Sequence, residues 1–559
     1  MATKLVIVGG VAAGAAAATR ARRLDEFADI IIFERSGYVS FASCGLPYHV
    51  GRIIPRRASL LITSPERFRE WFNIDVRVRH EVLSIDRVAR RVRVRDLESG
   101  REFDEPYDKL ILTPGASAVV PPIDGSASRN VFVLRTIEDM DALNAYLDER
   151  PVRRVAVVGA GFIGLEATEC LCQRGLEVDL IELLPQVLPP LDADLAPLVE
   201  SHLRAHGVRL HLGAGLESFA LENGHVAAVG TRAGRSIPTD AVLVSVGVRP
   251  NNRLARDAGL ELTERGAIRV NDRLETSDPS ILAAGDVIEA VHAVTGVPVS
   301  VPLAGPAARQ GRLAGQRAVG FEGPPAARVA GTAIVEVFDL VVAVTGLGLQ
   351  AARRAGPPCA QIIARRLHHV DYYPGAQPMT IKLVYAPDTG RLLGGQIVGG
   401  AGVDRRIDVL ATALHFGGTV DDVADLDLAY APQFGAAKDP VVVAAQIAQN
   451  ERSGLIQHVD PAELEGLCRD GAQLVDARPA AAAASSGAIP GAVQIPMATL
   501  RQRLETLDRS RPVVLYCDVG YTSYLAARVL RQRGFPRVYN LAGGFRWYVA
   551  RGLPVVSTG

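Results

Sequence analysis

The chain runs to 559 residues, too long for one hydrophobic core, and three or four domains are expected. Its 48% apolar and 22% charged residues are the balance of an ordinary globular protein. Lys plus Arg equals Asp plus Glu at 61 each, so no global field favours nucleic acid or an acidic membrane.

The N-terminal apolar run is broken at Gly9 and Gly10 and no cleavage site follows, so it reads as strand and turn rather than signal peptide. No uninterrupted apolar stretch is long enough to span a bilayer, and a cytoplasmic chain is expected. Leu5-Val6-Ile7-Val8 predicts a buried strand, Gly9-Gly10-Val11-Ala12-Ala13-Gly14 a turn into an Ala-rich helix, and residues 30–33 a second strand ending at Glu34. Close behind it, Ser40-Phe41-Ala42-Ser43-Cys44-Gly45-Leu46-Pro47 carries a lone cysteine. With no partner nearby, Cys44 cannot close an internal disulfide. An oxidised sulfur there must be a mixed disulfide, a persulfide or a sulfenic acid.

The first pattern recurs downstream: Val155-Ala156-Val157-Val158, then Gly159-Ala160-Gly161-Phe162-Ile163-Gly164, a helix, and a strand over 178–181 ending at Glu182. In both halves the acid follows the last glycine by about 20 residues. Glycines let the backbone approach a pyrophosphate at a helix N-terminus, where free N–H groups and the dipole favour an anion. The acid accepts from ribose hydroxyls. Val11 departs from the strict glycine pattern, whereas the second turn matches it, and Glu182 would repel a 2′-phosphate, favouring NADH over NADPH. Two further strand-end turns belong with the first half, 107–115 ending at Gly115 and 281–287 carrying Asp286.

From about 325 the texture changes to mixed strands and helices, including strands over 380–385 and 392–398, and Glu451-Arg452-Ser453-Gly454 reads as a linker. The last hundred residues form a small α/β unit, with a strand over 513–516 ending at Cys517, a loop over 518–523 and a helix from Tyr524. A cysteine at a strand tip before a helix is a setting suited to a thiolate or persulfide. The remaining cysteines (Cys170, Cys172, Cys359, Cys468) are read as packing residues, and His368 and His369 carry no ligand spacing; no metal site is expected.

These residues resemble the pyridine nucleotide-disulfide oxidoreductases over 1 to about 448. The Ser-Phe-x-x-Cys-Gly-Leu-Pro-Tyr stretch narrows the resemblance to the single-cysteine branch of coenzyme A-disulfide reductases, NADH-dependent persulfide reductases, and NADH oxidases and peroxidases. The Cys-x4-Cys pair of glutathione reductase-type enzymes is absent here, which excludes their dithiol exchange. The tail from about 457 resembles a rhodanese domain. The implied fold is α/β: two Rossmann-like FAD and NAD(P) domains in a glutathione reductase-like arrangement, an α+β dimerisation domain and a C-terminal rhodanese-like α/β domain. The expected boundaries are 1–115 with 246–324 for FAD, 116–245 for NAD(H), 325–448 for dimerisation, 449–456 for the linker and 457–559 for the rhodanese-like part.

The resemblance implies FAD, NADH and coenzyme A as ligands, no nucleic acid or membrane partner, and a homodimer. Its cofactor set is Gly9, Gly10, Ala12, Ala13, Gly14, Glu34, Arg35, Val82, Gly115, Asp286, Pro302, Leu303, Ala304, Gly159, Gly161, Phe162, Ile163, Gly164, Glu166, Glu182 and Gly247. Two tyrosines, Tyr372 and Tyr430 with Tyr373 as fallback, are implied to reach the partner subunit's active cysteine. Arg20, Arg23, Ser40, Ser43 and Lys438 are implied for coenzyme A, with Arg22 on the same basic helix. Ser43 stands where some relatives have asparagine. The rhodanese end departs further, with Thr522 in place of the loop arginine, Asp518 beside Cys517 and Ala488 for the usual histidine. The expected chemistry is NADH-driven reduction of a persulfide, polysulfide or coenzyme A disulfide at Cys44, with Cys517 offering sulfane sulfur. The rivals are an NADH oxidase or peroxidase cycling Cys44 through sulfenic acid, and a redox-sensing or sulfur-delivery protein.

Overall fold

The computed structural model describes residues 3–557. Its contacts divide the chain into two compact units, one made of 1–185, 207–292 and 296–329, the other of 186–206, 293–295 and 330–559.

The first unit holds two five-stranded parallel sheets. In one, Lys4–Val8 lies at the centre, flanked by Asp29–Glu34 and then Asp75–Val78 on one side, and by Lys109–Leu112 and then Ile281–Ala283 on the other. The second repeats the scheme around Arg154–Val158, with Glu177–Ile181 and Arg209–His211 to one side and Ala241–Val244 and Val131–Phe132 to the other. The central strands are β-branched runs buried on both faces, as helix-covered parallel strands must be. Neighbours of each central strand are reached in opposite directions, so both glycine turns emerge at a switch point, where open α/β sheets leave a crevice.

The second unit contains an antiparallel five-stranded sheet ordered Ala333–Val337, Leu340–Gly346, Leu392–Gly399, Pro378–Tyr385, Ala360–Leu367. Helices Val403–His415 and Pro440–Arg452 share its apolar core. The segment 186–206, with helix Ala196–Ala205, is fixed here by a buried charge cluster. Lys382, 2% exposed, places Nζ 2.9 Å from Asp192 Oδ2 and 2.8 Å from Asp194 Oδ1. Asp192 also accepts from the Leu349 N–H at 2.9 Å and donates its own N–H to Gln396 Oε1.

A parallel sheet ordered His458–Val459, Val538–Leu541, Val513–Tyr516, Gln473–Asp476, Val493–Gln494 forms the C-terminal part. Two elements differ from expectation. Helix Pro440–Arg452 runs through residues assigned to the linker, because Arg452 Nη1 ties to Asp421 Oδ2 at 2.5 Å, and the connection is only 453–457. The helix after Cys517 begins at Tyr521 rather than Tyr524, straight after Gly520 turns the chain with φ +91°. Arginines hold the connection and the tail. Arg531 donates to the Gly454 carbonyl at 2.7 Å, Arg528 to Leu455 at 2.5 Å, and Arg365 of the antiparallel sheet to Arg546 at 2.7 Å.

Candidate active site

Each glycine turn is built by contact that tolerates no side chain. A Cβ on Gly14 would sit 1.8 Å from the Gly9 carbonyl oxygen, and one on Gly164 would sit 1.9 Å from that of Gly159. The acids close both turns in the same way. Glu34 accepts from the N–H of Gly10 (2.8 Å) and Ser36 (2.9 Å); Glu182 accepts from Ala160 (2.7 Å) and Leu184 (2.8 Å). Each carboxylate retains lone pairs for a ribose hydroxyl. Burial pushes the Glu34 carboxyl above its ordinary range, against the pull of its two backbone donors. Ala12 and Phe162 open the two helices, Ala13 lies buried beneath the first turn, and the space over Gly161 is open, with Ile163 exposed beside it. Two such turns with their acids fit two dinucleotides, FAD and NADH.

Other cofactor candidates are less uniform. Arg35 is exposed, while the side chain of Val82 is buried in the core, so only its main chain can face a ligand. Asp286 is held by Arg135 Nη2 at 2.5 Å, a partner that sequence patterns did not reveal. Gly115 and Gly247 adopt φ of +65° and +112°; Pro302 and Leu303 lead into helix Ala304–Ala318.

The Cys44 loop is tied to both halves of its unit. The Ser40 N–H donates to the Gly10 carbonyl at 2.9 Å, which binds the loop to the first glycine turn. Cys44 is exposed within a 3-10 turn, Ser43–Gly45, directly before the short helix Leu46–Val50. From that helix Tyr48 Oη donates to Glu166 Oε1 at 3.1 Å, on the helix of the second glycine turn. Burial raises the Glu166 carboxyl and the Tyr48 phenol above their usual ranges. Tyr48 ends the sequence motif around Cys44 but was used there only for resemblance.

The basic helix divides by role. Arg22, 4% exposed, spends its guanidinium on the carbonyls of Phe72, Asp25, Glu26, Ala28 and Asn73, and so is structural. Arg20 is engaged with Gln316 Oε1 at 2.7 Å, whereas Arg23 is exposed. Lys438 is exposed in the second unit, next to buried Asp439.

In the second unit, Tyr372 and Tyr430 are 58 positions apart in sequence, yet their hydroxyls lie 3.1 Å apart. Both rings are exposed, and the shared hydrogen bond raises the Tyr372 phenol above its ordinary pKa. Tyr373, the fallback, instead packs edge-on against His369 at 5.5 Å. The two loops are clamped from below. Arg406, 1% exposed, bonds Asp439 Oδ2 and the His368 carbonyl at 2.8 Å each, and Arg405 bonds the Ala429 carbonyl at 2.6 Å. If the pair donates a proton to a sulfur leaving group, Tyr372→Phe and Tyr430→Phe should each lower kcat/KM by roughly 10²-fold. A change below about twofold in steady-state assays would assign the tyrosines to packing.

At the C-terminal strand tip, Cys517 is 4% exposed and its Sγ accepts from the Gly520 N–H at 3.2 Å and Ser523 Oγ at 3.3 Å. Thr522 lies in the first turn of the helix, not in a loop, and Ala488 pairs by main chain with Val556. Arg478 does not replace the missing arginine. It is 1% exposed, 2.6 Å from Asp476 and stacked on Phe545 at 4.0 Å, with Asp518 3.9 Å away. Among the other cysteines Cys170 is buried and Cys172, Cys359 and Cys468 half-buried, and burial pushes Cys170 up to about 12 and Cys172 up to about 11. Among the described residues, no helix is long and apolar enough to cross a membrane.

Residues 3–311 match the pyridine nucleotide-disulphide oxidoreductase family, 332–440 its dimerisation domain and 460–551 the rhodanese-like domain. The chain is similar to a solved structure of reduced Bacillus anthracis CoADR-RHD, at 40% identity and TM-score 0.95, covering 99% of this chain and 98% of that one. It is also similar to an NAD-dependent persulfide reductase from A. fulgidus, at 36% identity and TM-score 0.91, covering 97% and 99%. A coenzyme A disulfide reductase from Staphylococcus aureus is 35% identical over 436 residues, 78% of this chain and 97% of the relative. The chain therefore belongs to the pyridine nucleotide-disulphide oxidoreductases, flavoenzymes that work with FAD and NADH, and carries a rhodanese-like domain behind the dimerisation domain.

Proposed function

We propose that this enzyme uses NADH to reduce a sulfur–sulfur bond at Cys44, in a coenzyme A persulfide, a polysulfide or coenzyme A disulfide. The observation that carries this reading is the double tie of the single-cysteine loop, Ser40 to Gly10 and Tyr48 to Glu166, which sets one thiol against both glycine-turn halves. Gly9, Gly10, Ala12, Ala13 and Gly14 with Glu34 and Asp286 hold FAD. Gly159 to Gly164 with Glu182 would hold NADH, with Glu166 assigned to the nicotinamide end. The chemistry FAD supplies when bound is a two-electron relay between NADH and sulfur. Cys44 attacks the substrate S–S bond. At a disulfide it forms a mixed disulfide and releases a thiolate. At a persulfide it forms a mixed disulfide with release of hydrosulfide or, by attack on the outer sulfur, a Cys44 persulfide with release of the thiolate. The departing group takes a proton, for which the Tyr372–Tyr430 pair of a second copy is the donor. Two electrons originating from NADH then cleave the S–S bond on Cys44, releasing the second thiolate or hydrosulfide and restoring the Cys44 thiolate. For a persulfide the balance is RSSH + NADH + H⁺ → RSH + H₂S + NAD⁺.

The match to the dimerisation domain supports a homodimer, and six free cysteines suit a reducing, cytoplasmic setting. Arg20, Arg23, Ser40, Ser43 and Lys438 are assigned to coenzyme A, and Cys517 to receiving sulfane sulfur. The test is anaerobic NADH oxidation against coenzyme A persulfide, polysulfide and coenzyme A disulfide, with an oxygen-only arm. Turnover on persulfide or polysulfide well above the disulfide supports the reading; a preference for oxygen returns the chain to the oxidase branch.

A further inference from the structure

Outside this chemistry, the second unit brings together two histidines and an aspartate that no part of the reaction uses. His202 lies in the last turn of helix Ala196–Ala205 and His206 caps it, four positions on. That spacing stacks both imidazoles on one face, with ring centroids 4.4 Å apart. Asp339 enters from the tight turn between strands Ala333–Val337 and Leu340–Gly346. Its Oδ1 is 2.8 Å from His202 Nε2 and 4.0 Å from His206 Nε2, and the three ligand atoms all lie within 4.8 Å of one another.

The surroundings prepare these atoms to share a cation. His206 Nδ1 lies 2.9 Å from the His202 carbonyl, and a carbonyl partner requires the proton on Nδ1, which leaves the Nε2 lone pair facing the cluster. His202 Nε2 is buried and pairs with Asp339 Oδ1 at 2.8 Å, a contact that a cation entering between the two atoms would open so that both could bind it. Phe338 holds a left-handed φ of +59°, uncommon for a bulky side chain, and lays its ring flat on His206 at 4.1 Å and 7°. The site also sits at a helix C-terminus, where the carbonyl ends favour positive charge.

The geometry points to a surface site for a borderline transition-metal ion such as Zn²⁺, held by His202 Nε2, His206 Nε2 and Asp339 with water completing the shell. Two imidazoles and one carboxylate select Zn²⁺, Co²⁺, Ni²⁺ or Cu²⁺ over Mg²⁺ or Ca²⁺. The ion staples the end of helix Ala196–Ala205 to the hairpin turn. The sequence reading expected no metal site, because Asp339 joins His202 and His206 only through the fold.

The test uses the full-length FAD-loaded protein, freed of metal with a chelator and titrated with ZnCl₂ by calorimetry, and with CoCl₂ by absorption. One equivalent per chain is expected, with cobalt showing ligand-field bands and no thiolate charge transfer. His206→Gln and Asp339→Asn, both at exposed positions, should each weaken zinc binding by roughly 10-fold or more. Undiminished binding in both variants, a thiolate-to-cobalt band, or no zinc uptake would overturn the site.

Discussion

Cys44→Ser is expected to lose NADH-dependent turnover of persulfide, polysulfide and coenzyme A disulfide by roughly three orders of magnitude or more. It should still bind FAD and still bleach the flavin absorbance on anaerobic addition of NADH. The separation follows from the structure. Cys44 is an exposed thiol in a short turn, and the backbone that ties the loop to the glycine turn comes from Ser40, not from the cysteine. Serine therefore preserves the turn but cannot form a sulfur–sulfur bond. Stopped-flow absorbance reads the first half and steady-state turnover the second. Unchanged turnover would remove Cys44 from the reaction, and loss of flavin reduction as well would show that the substitution had damaged the fold instead.

Lys382→Ala should be the most damaging change outside the site. Removing the ammonium leaves Asp192 and Asp194 facing each other without a cation, and breaking a buried ion cluster this way costs about 3–5 kcal/mol. The loss is local, because the cluster anchors 186–206 to the strand Pro378–Tyr385. Backbone hydrogen exchange in 186–206 should accelerate by roughly 10²-fold or more while the central strands of the first unit keep their protection. Unchanged exchange would mean that water already screens these charges. Replacing all three residues by apolar ones of similar volume should recover much of the loss, since burying the charges is itself costly.

The duplicated glycine fingerprint made the two parallel sheets legible, because a strand, a turn that admits no Cβ and a helix follow one another within a few residues. The lone cysteine was legible for the same reason. The Tyr372–Tyr430 pair came through resemblance alone, since 58 residues separate the two rings in sequence. What stayed hidden is what tertiary contact creates: Arg135 on Asp286, Tyr48 on Glu166, the Arg406–Asp439 clamp and the Asp339 side chain beside two histidines. Arg22 shows the reverse case. It lies on the same basic helix as Arg20 and Arg23, but five carbonyls capture its guanidinium. The helix start at Tyr521 was missed because no capping side chain marks it; a left-handed glycine does the work.

The arginine-held connection at 453–457 bears on how sulfur travels. A swinging arm needs slack, and here the backbone that would supply it is already gripped by Arg528 and Arg531 of the domain it would release, with Arg365 pinning the far side. The tail is bolted rather than hinged. Any swing of the C-terminal domain that moves Cys517 against the antiparallel sheet first has to break these three hydrogen bonds. Loosening the tail is therefore a matter of removing arginines, not of lengthening the connection, and Arg528→Ala with Arg531→Ala should speed backbone exchange at 453–457.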